Sequence, residues 1–350
     1  MFPARDLTER EQQILHAVVH TYITTAEPVG SRSIVKRFGL DLSPATVRNV
    51  MADLEEMGYL QQVHTSSGRV PTDGGYRYYV DYLMQVQELT LTERERIEQE
   101  LTLRLDDADD VLKQTSHLLA LVTHQAGLAE APETNLVQVQ RIELLPVGKE
   151  RLAVLIVDNF GRVRSMAVQM ENTVPAQDLQ RMTRFLNEHL HGVSIDQLVS
   201  AVELKLRSFM DEQRLLAEKA LKVLYLLPVN RPRQLFLEGA TQLFEQPEFQ
   251  DIGKAREVLV LLQERDRLGE MLRNAAQDNP RMQTTVIIGA QSSGAGVEGI
   301  SLVAAPYRIK GQPMGMVGVL GPRRMPYPQL TAMVSFTAGM VGKILTRLGR

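Results

Sequence analysis

Apolar residues recur at helical spacing from the start of the chain. Thr8, Glu9, Arg10 and Glu11 have the form of a capping box, and Ile14, Leu15, Val18, Val19, Tyr22 and Ile23 then fall on one helical face. This predicts an amphipathic helix that ends in the turn-rich segment Glu27-Pro28-Val29-Gly30. Ser31 is placed to cap a short second helix ending near Phe38 and Gly39. Ser43 and Pro44 are a preferred cap and first position for a third, whose buried stripe is Val47, Val50, Met51, Leu54 and Met57 before Gly58. A hairpin of 59–63 and 69–70 follows, joined by Thr65, Ser66, Ser67 and Gly68, where glycine allows a positive backbone angle. Three helices and a hairpin make a winged helix-turn-helix over residues 1–84, closed by a segment that Thr72 caps and that carries Tyr76, Tyr78, Tyr79 and Tyr82.

A second capping-box pattern at Thr92, Glu93, Arg94 and Glu95 opens a charged stretch to about residue 126, broken near 106–110, so 85–108 is expected to be a linker helix. Strand-like runs follow at 136–145, 152–157 and 163–170, the last two separated by a hairpin turn at Asp158, Asn159, Phe160 and Gly161. Residues 175–278 have an almost wholly helical pattern. Strand signals return at 285–289, 300–304, 307–309 and 314–320, before an amphipathic helix over 328–348. The simplest reading is an α+β multidomain chain: a sheet domain in two parts, 109–194 and 281–350, interrupted by a mainly helical insertion at 195–280.

Composition narrows the chemistry. The 350 residues are 44% apolar and 23% charged, enough for two or three ordinary cores. No run reaches the ~18 apolar residues of a membrane helix and the first residues lack a signal-peptide pattern, so a cytoplasmic location is expected. The absence of cysteine excludes disulfides, thiolate nucleophiles and cysteine-ligated metals. His189 and His191 sit about 200° apart on a helix and make a poor metal pair. Ser66, Ser292 and Ser293 lack a nucleophile-elbow sequence or an identifiable base. Gly294 to Gly299 matches a dinucleotide fingerprint literally, yet a strand follows where a helix is required, so a loop is favoured. No cofactor, metal or enzymatic activity is expected.

A net charge of −3 argues against coating nucleic acid by electrostatics alone, so any DNA contact must be local. With the apolar stripe of the third helix facing inward, its opposite face carries Ala45, Arg48, Asn49 and Ala52, followed by Glu56 at an acidic end that can point away from the duplex. Arginine pairs with guanine, asparagine with adenine, and alanine meets the thymine methyl group, which makes these four the candidate base readers. Arg32, Lys36, Arg37 and Arg69 are candidate phosphate contacts, with Ser31, Ser43, Thr46, Thr65 and Ser66 as neutral donors there. A winged helix that binds protein, with Arg48 and Asn49 merely solvated, is the alternative. Leu198, Val202, Leu206, Phe209 and Met210 form a stripe suited either to a dimer interface or to a domain core. The basic segment 321–327 fits a structural turn better than an anion-binding loop.

Several ordered matches then resemble one family. They are Glu27-Pro28-Val29-Gly30-Ser31-Arg32, Ser43-Pro44-Ala45-Thr46-Val47-Arg48-Asn49, Met51-Ala52-Asp53-Leu54-Glu55-Glu56, His64-Thr65-Ser66-Ser67-Gly68-Arg69-Val70-Pro71-Thr72-Asp73 and Gly75-Tyr76-Arg77-Tyr78-Tyr79-Val80-Asp81. With Gly321-Pro322-Arg323-Arg324-Met325-Pro326-Tyr327 near the end, the chain resembles the heat-inducible transcription repressor family HrcA along its whole length. Val50, Gly74, Arg323 and Pro326 depart from the family pattern, and none of them is a proposed base reader. The resemblance implies a GAF-like sheet domain holding a helical dimerising insertion, and it favours the interface reading of the 198–210 stripe. It also implies a homodimer that represses chaperone operons at an inverted-repeat operator, with the chaperonin GroEL helping to keep the repressor active. A GAF-like region that takes a small ligand, in a metabolite-responsive regulator, is the alternative.

Overall fold

The computed structural model describes residues 7–63, 68–102, 107–132, 137–148, 150–170, 173–206, 211–226, 234–278, 284–289 and 299–348. The winged helix is formed as its hydrophobic pattern requires. Helix α1 (Glu9–Thr25) starts with a reciprocal box in which Glu11 N–H donates to Thr8 Oγ1 and Thr8 N–H donates to Glu11, and it buries Ile14, Leu15, Val18 and Val19. Helix α2 (Ser31–Phe38) is capped by Gly30, so Ser31 is the first helical residue and is buried, a correction to its expected capping role. Helix α3 (Pro44–Glu56) begins at Ser43, whose Oγ accepts from Thr46 N–H at 3.1 Å. Its Val47, Met51 and Leu54 are fully buried with Ile14, Leu15 and Ile34, each contributing about 1.5–3 kcal/mol of hydrophobic stabilisation. Strands β1 (Leu60–Gln62) and β2 (Arg69–Pro71) pair antiparallel, Leu60 opposite Pro71 and Gln62 opposite Arg69. Thr72 caps α4 (Asp73–Tyr78), which runs into a π-helical turn at Tyr79–Leu83 and places Tyr76, Tyr78 and Tyr79 in the core.

After an extended segment, α5 (Leu91–Leu101) is capped by Thr90 and Glu93, two residues earlier than the capping box expected from Thr92. The hydrogen bonds from Thr90, the backbone one first, hold the Glu93 carboxyl below the usual carboxylate range. Ile97 and Leu101 bury against Leu118 of α6 (Ala108–Thr123), so this helix is a packed part of the body and no free linker.

Beyond α6 come β3 (Ala126–Glu130), β4 (Val139–Pro146), β5 (Arg151–Asp158), β6 (Val163–Gln169), α7 (Ala176–Leu190), α8 (Leu198–Leu206) and α9 (Asp211–Tyr225). They are followed by β7 (Leu235–Glu238), α10 (Ala240–Phe244), α11 (Ile252–Gln263), α12 (Arg265–Asp278), β8 (Thr285–Ile288), β9 (Ile300–Ile309), β10 (Gln312–Pro322) and α13 (Tyr327–Leu348). Five strands make an antiparallel sheet in the order β7-β3-β10-β9-β8. Val286, Ile288, Val303, Ala305, Val317 and Val319 point to the side covered by α6 and α13. Alternate residues, Ile287, Leu302, Ala304, Met316 and Leu320, point to α11 and α12. Both faces are buried, which is why 314–320 reads as a continuous run without charged or polar side chains and 300–304 is interrupted only by the buried Ser301.

Two expectations change here. β3 and β7 are neighbours in the main sheet, and the chain between them forms a separate unit, the sheet β4-β5-β6 packed on α7 to α9. The strands at 136–170 therefore do not extend the main sheet, and α10 to α12 belong to the main sheet and not to an insertion at 195–280. Periodicity marks a strand, but only pairing partners assign it to a sheet. Leu198 and Val202 are wholly buried in the chain's own core with Ile195, Leu186 and Val154, so these two residues of the expected interface stripe serve intrachain packing. The Leu206 side chain, Phe209 and Met210 lie outside the described structure, as does most of the Gly294 to Gly299 motif. Among the described residues no helix is long and apolar enough to cross a membrane.

His16 gives the winged helix a pH dependence. Its ring lies 5.5 Å from that of Tyr79 and 6.1 Å from that of His20, and burial first, then His20, pushes its pKa below the ordinary 6.5. The neutral ring is the form the fold accepts. This stabilisation is complete above the unfolded-chain value and is lost as pH falls through the lowered native value. Thermal melts followed by circular dichroism at about pH 7.5 and 5.5 should show a smaller acid-induced drop in Tm for His16→Leu than for the unsubstituted chain. An equal drop in both would exclude His16 as the source.

Candidate nucleic-acid interface

Burial of Val47, Val50, Met51 and Leu54 orients α3, and the residues at the complementary angles emerge together. Ala45, Arg48 and Asn49 are exposed and Ala52 is half-buried beside them, so all four candidate readers share one face in the first two-thirds of the helix. Among the described residues, neither Arg48 nor Asn49 has a side-chain hydrogen-bond partner. Small alanines flank a free guanidinium and a free amide, a surface able to approach and read base edges. Ser43 and Thr46 hydroxyls lie 2.9 Å apart at the exposed start of the helix. Arg32, Lys36 and Arg37 are exposed on α2. Ser31 is not, and its burial removes it from the candidate phosphate contacts. Thr65 and Ser66 lie outside the described residues.

Arg69 takes a different place from the one its position beside the wing suggests. Its Nε donates to Glu55 at 2.8 Å, and the side chain is only 15% exposed. Glu55 also accepts from Gln62 N–H at 3.1 Å, so the end of α3 holds both wing strands. Arg69 and Val29 exchange backbone hydrogen bonds at 2.9 and 3.0 Å, tying the wing to the turn after α1. A Cβ at Gly68 would lie 2.4 Å from the Val29 carbonyl, so this glycine answers a close approach and not the positive backbone angle the sequence suggested. Arg69 thus braces the wing. The reach of its charge toward phosphate is correspondingly reduced.

Of the segment 321–327 expected to be a turn, Gly321 and Pro322 end strand β10 opposite Ser301 and Ile300, and the short link 323–326 turns the chain into α13 and joins the winged helix to the body. Arg324 Nη1 donates to the Ile23 carbonyl in the last turn of α1 at 2.9 Å, while its Nε donates to Glu248 at 2.6 Å. Arg323 pairs with Asp73 at the start of α4 at 2.5 Å. Tyr327 donates to Ser301 or to the Arg323 carbonyl, its ring packs edge-on at 6.1 Å from Tyr76, and complete burial raises its phenol far above the ordinary range. Arg77 adds a hydrogen bond to the Val286 carbonyl at 2.8 Å. Gly289 has a positive φ of 60°, and a Cβ there would strike Asp73 at 2.3 Å. Sequence reasoning had no signal for the contacts that cross from the winged helix to the body, because each joins residues more than 200 positions apart.

The chain is similar to known proteins over nearly its whole length. Residues 6–81 match the family profile described as winged helix-turn-helix transcription repressor, HrcA DNA-binding, and residues 109–331 match the one described as HrcA protein C terminal domain. The heat-inducible transcription repressor HrcA of Geobacter sulfurreducens is 38% identical over 340 residues, covering 97% of this chain and 98% of that protein. The protein of the same name from Syntrophobacter fumaroxidans is 36% identical over 349 residues, covering 98% of this chain and 99% of its own length. A crystal structure described as a hypothetical protein at 2.2 Å resolution superposes with a TM-score of 0.65 at 23% identity, covering 98% of this chain and all of that one, which shows a shared fold. With both profiles matched and full-length relatives above 30% identity, the chain belongs to the HrcA family of heat-inducible transcription repressors.

Proposed function

We propose that this chain is a cytoplasmic transcription repressor, not an enzyme, that reads double-stranded operator DNA with α3. The observation that carries the reading is the free pair Arg48 and Asn49 on the exposed face of a capped helix, with Ala45 and Ala52 beside them. Arg32, Lys36, Arg37, Ser43 and Thr46 surround that face and supply phosphate contacts, while Arg69 holds the wing in position. The family's name supports heat-inducible genes as targets, and the sequence resemblance adds chaperone operons and an inverted-repeat operator to the proposal. Two related helices then read half-sites about 34 Å apart or a multiple of it, which requires a homodimer. The five-stranded sheet between two helical layers supports a GAF-like reading of the body, and the unit between β3 and β7 is the insertion that dimerises.

A surface on that unit suits the dimer better than the buried Leu198 and Val202. Val154 and Ile156 of β5 point into the core, so Leu155 and Val157 point to the opposite face of the small sheet. There they align with Leu145, which is 45% exposed, and Val163, which is 62% exposed. Leu155→Arg combined with Val163→Asp should convert the dimer to monomer in sedimentation velocity while leaving helix content unchanged, weakening self-association by about 100-fold or more. An unaltered dimer would move the interface elsewhere.

Base reading is tested by fluorescence anisotropy with an inverted-repeat duplex from a chaperone promoter and a scrambled duplex across a salt series. Arg48→Ala should cost about 1–3 kcal/mol on the inverted repeat and little on the scrambled duplex. Equal loss on both would refute base reading by Arg48, and no selectivity in folded, dimeric protein would favour a winged helix that binds protein. The resemblance also supports assistance by the chaperonin GroEL. Added chaperonin should then raise the operator-competent fraction of repressor that has slowly lost activity, and no rise would count against that partner.

A further inference from the structure

The winged helix meets the body on two sides that are built differently. On one, α4 and the π-helical turn after it carry the chain into the body and are packed there: Arg77 donates to the Val286 carbonyl at 2.8 Å, Asp73 pairs with Arg323, and the Tyr76 ring lies against Tyr327. On the other, the end of α1 and the wing face α11 across a cleft of about 290 Å³, with Tyr22, Gln61 and Val70 on one wall and Phe249, Lys254 and Val258 on the opposite one. Close packing on one side and a gap on the other make a pivot, so the angle of the winged helix changes as the cleft opens or closes.

Arg324 bridges that cleft. Its Nη1 donates to the Ile23 carbonyl at 2.9 Å, its Nε donates to Glu248 at 2.6 Å, and its Nη2 lies 3.4 Å from both Glu248 and Gln246. Glu248 is followed by Phe249, which is 4% exposed in the core beneath α11, so the carboxylate is fixed to the body. A guanidinium is planar and presents its donors as a rigid fork, so acceptors on both walls hold the angle between them.

That angle matters on the scale of DNA. A tilt of about 10° over an arm as long as α1, about 25 Å for its 17 residues, moves the far end by about 4 Å. This exceeds the ~3.4 Å step between successive base pairs. Two-fold symmetry applies the same tilt to both subunits, so the separation of the two α3 helices follows from it.

We propose that Arg324 is a positioning residue whose bridge from Glu248 to Ile23 sets the half-site spacing that the dimer accepts. Arg48 and Asn49 read the bases, and Arg324 determines where two such readers stand. The role in spacing rests on the repressor reading. The restraint on α1 does not.

The test measures binding and orientation separately on the full-length protein. Fluorescence anisotropy compares unsubstituted protein and Arg324→Ala on a single half-site duplex and on inverted repeats from a chaperone promoter with the native spacer or one changed by two base pairs, which turns one half-site by about 70°. The unsubstituted protein should lose about ten-fold or more in affinity on the changed spacers and Arg324→Ala about three-fold or less, with equal affinity of both for the single half-site. Because the chain has no cysteine, nitroxides at Gln13→Cys in α1 and Glu270→Cys in α12 report one distance by pulsed electron double resonance, in protein diluted with unlabelled chains. Arg324→Ala should broaden that distance distribution, and Glu248→Gln should broaden it less. If Arg324→Ala fails to fold in a thermal melt, Glu248→Gln decides both readouts. A distribution unmoved by the folded variants would overturn the restraint on α1. A broadened distribution with an unchanged spacing profile would overturn the role in spacing, as would an equal loss on the single half-site. Absence of operator selectivity in the unsubstituted protein would instead overturn the repressor reading and the spacing role with it, while the distance measurement still decides whether Arg324 holds α1.

Discussion

The side chain of Arg324 is 15% exposed, and its guanidinium meets the two halves of the molecule at once, the last turn of α1 on one side and Glu248 beside the main sheet on the other. A carbonyl at a helix C-terminus carries partial negative charge, so the arginine satisfies an orphan acceptor and the end of the helix dipole while paired to a carboxylate. The direction of α1 is thereby set with respect to the body. Because α1 packs on α3 through a shared buried core, the direction of α1 also sets that of the exposed face bearing Arg48 and Asn49. Arg323 with Asp73, and Tyr327 against Tyr76, hold the same joint from its other side.

The same device recurs where other units meet. Arg273 of α12 reaches the wholly buried Glu130 of β3 at 2.6 Å, joining a covering helix to the main sheet. Arg162 is buried with Asp158 at 2.9 Å and reaches Asp109 at the start of α6 at 3.4 Å, joining the small sheet to the body. Buried pairs of this kind return little net stability after desolvation, and removing one partner is costly because the other charge is left without compensation. Their value here is geometric, since each fixes how one apolar unit sits on another. Arg32, Lys36, Arg37 and Arg48 are the contrast, cations kept in solvent on the reading side of the winged helix. A chain of net charge −3 thus presents a local positive face without a basic overall composition.

The winged helix was almost wholly legible in the sequence, and the reasons are local. Thr8 with Glu11, Ser43 before Pro44, and Thr72 each mark a helix start, while the apolar stripe of α3 determines by subtraction which residues face out. Errors inside it came from neighbours the sequence does not show. Gly30 caps α2 in place of Ser31, and Arg69 turns to Glu55 because α3 and the wing approach each other there.

By itself the sequence determined the class of structure, the order of most elements, and the four side chains on the outer face of α3, because periods of 3.6 and 2 and the capping residues act within a few positions. Only the tertiary structure decided what meets across long separations. It paired β3 with β7 around an inserted unit, buried Leu198 and Val202 instead of leaving them for a partner, and made the 323–326 link the fastening of the winged helix. Such contacts depend on complementary shape and charge between distant segments, and no repeat along the chain encodes them.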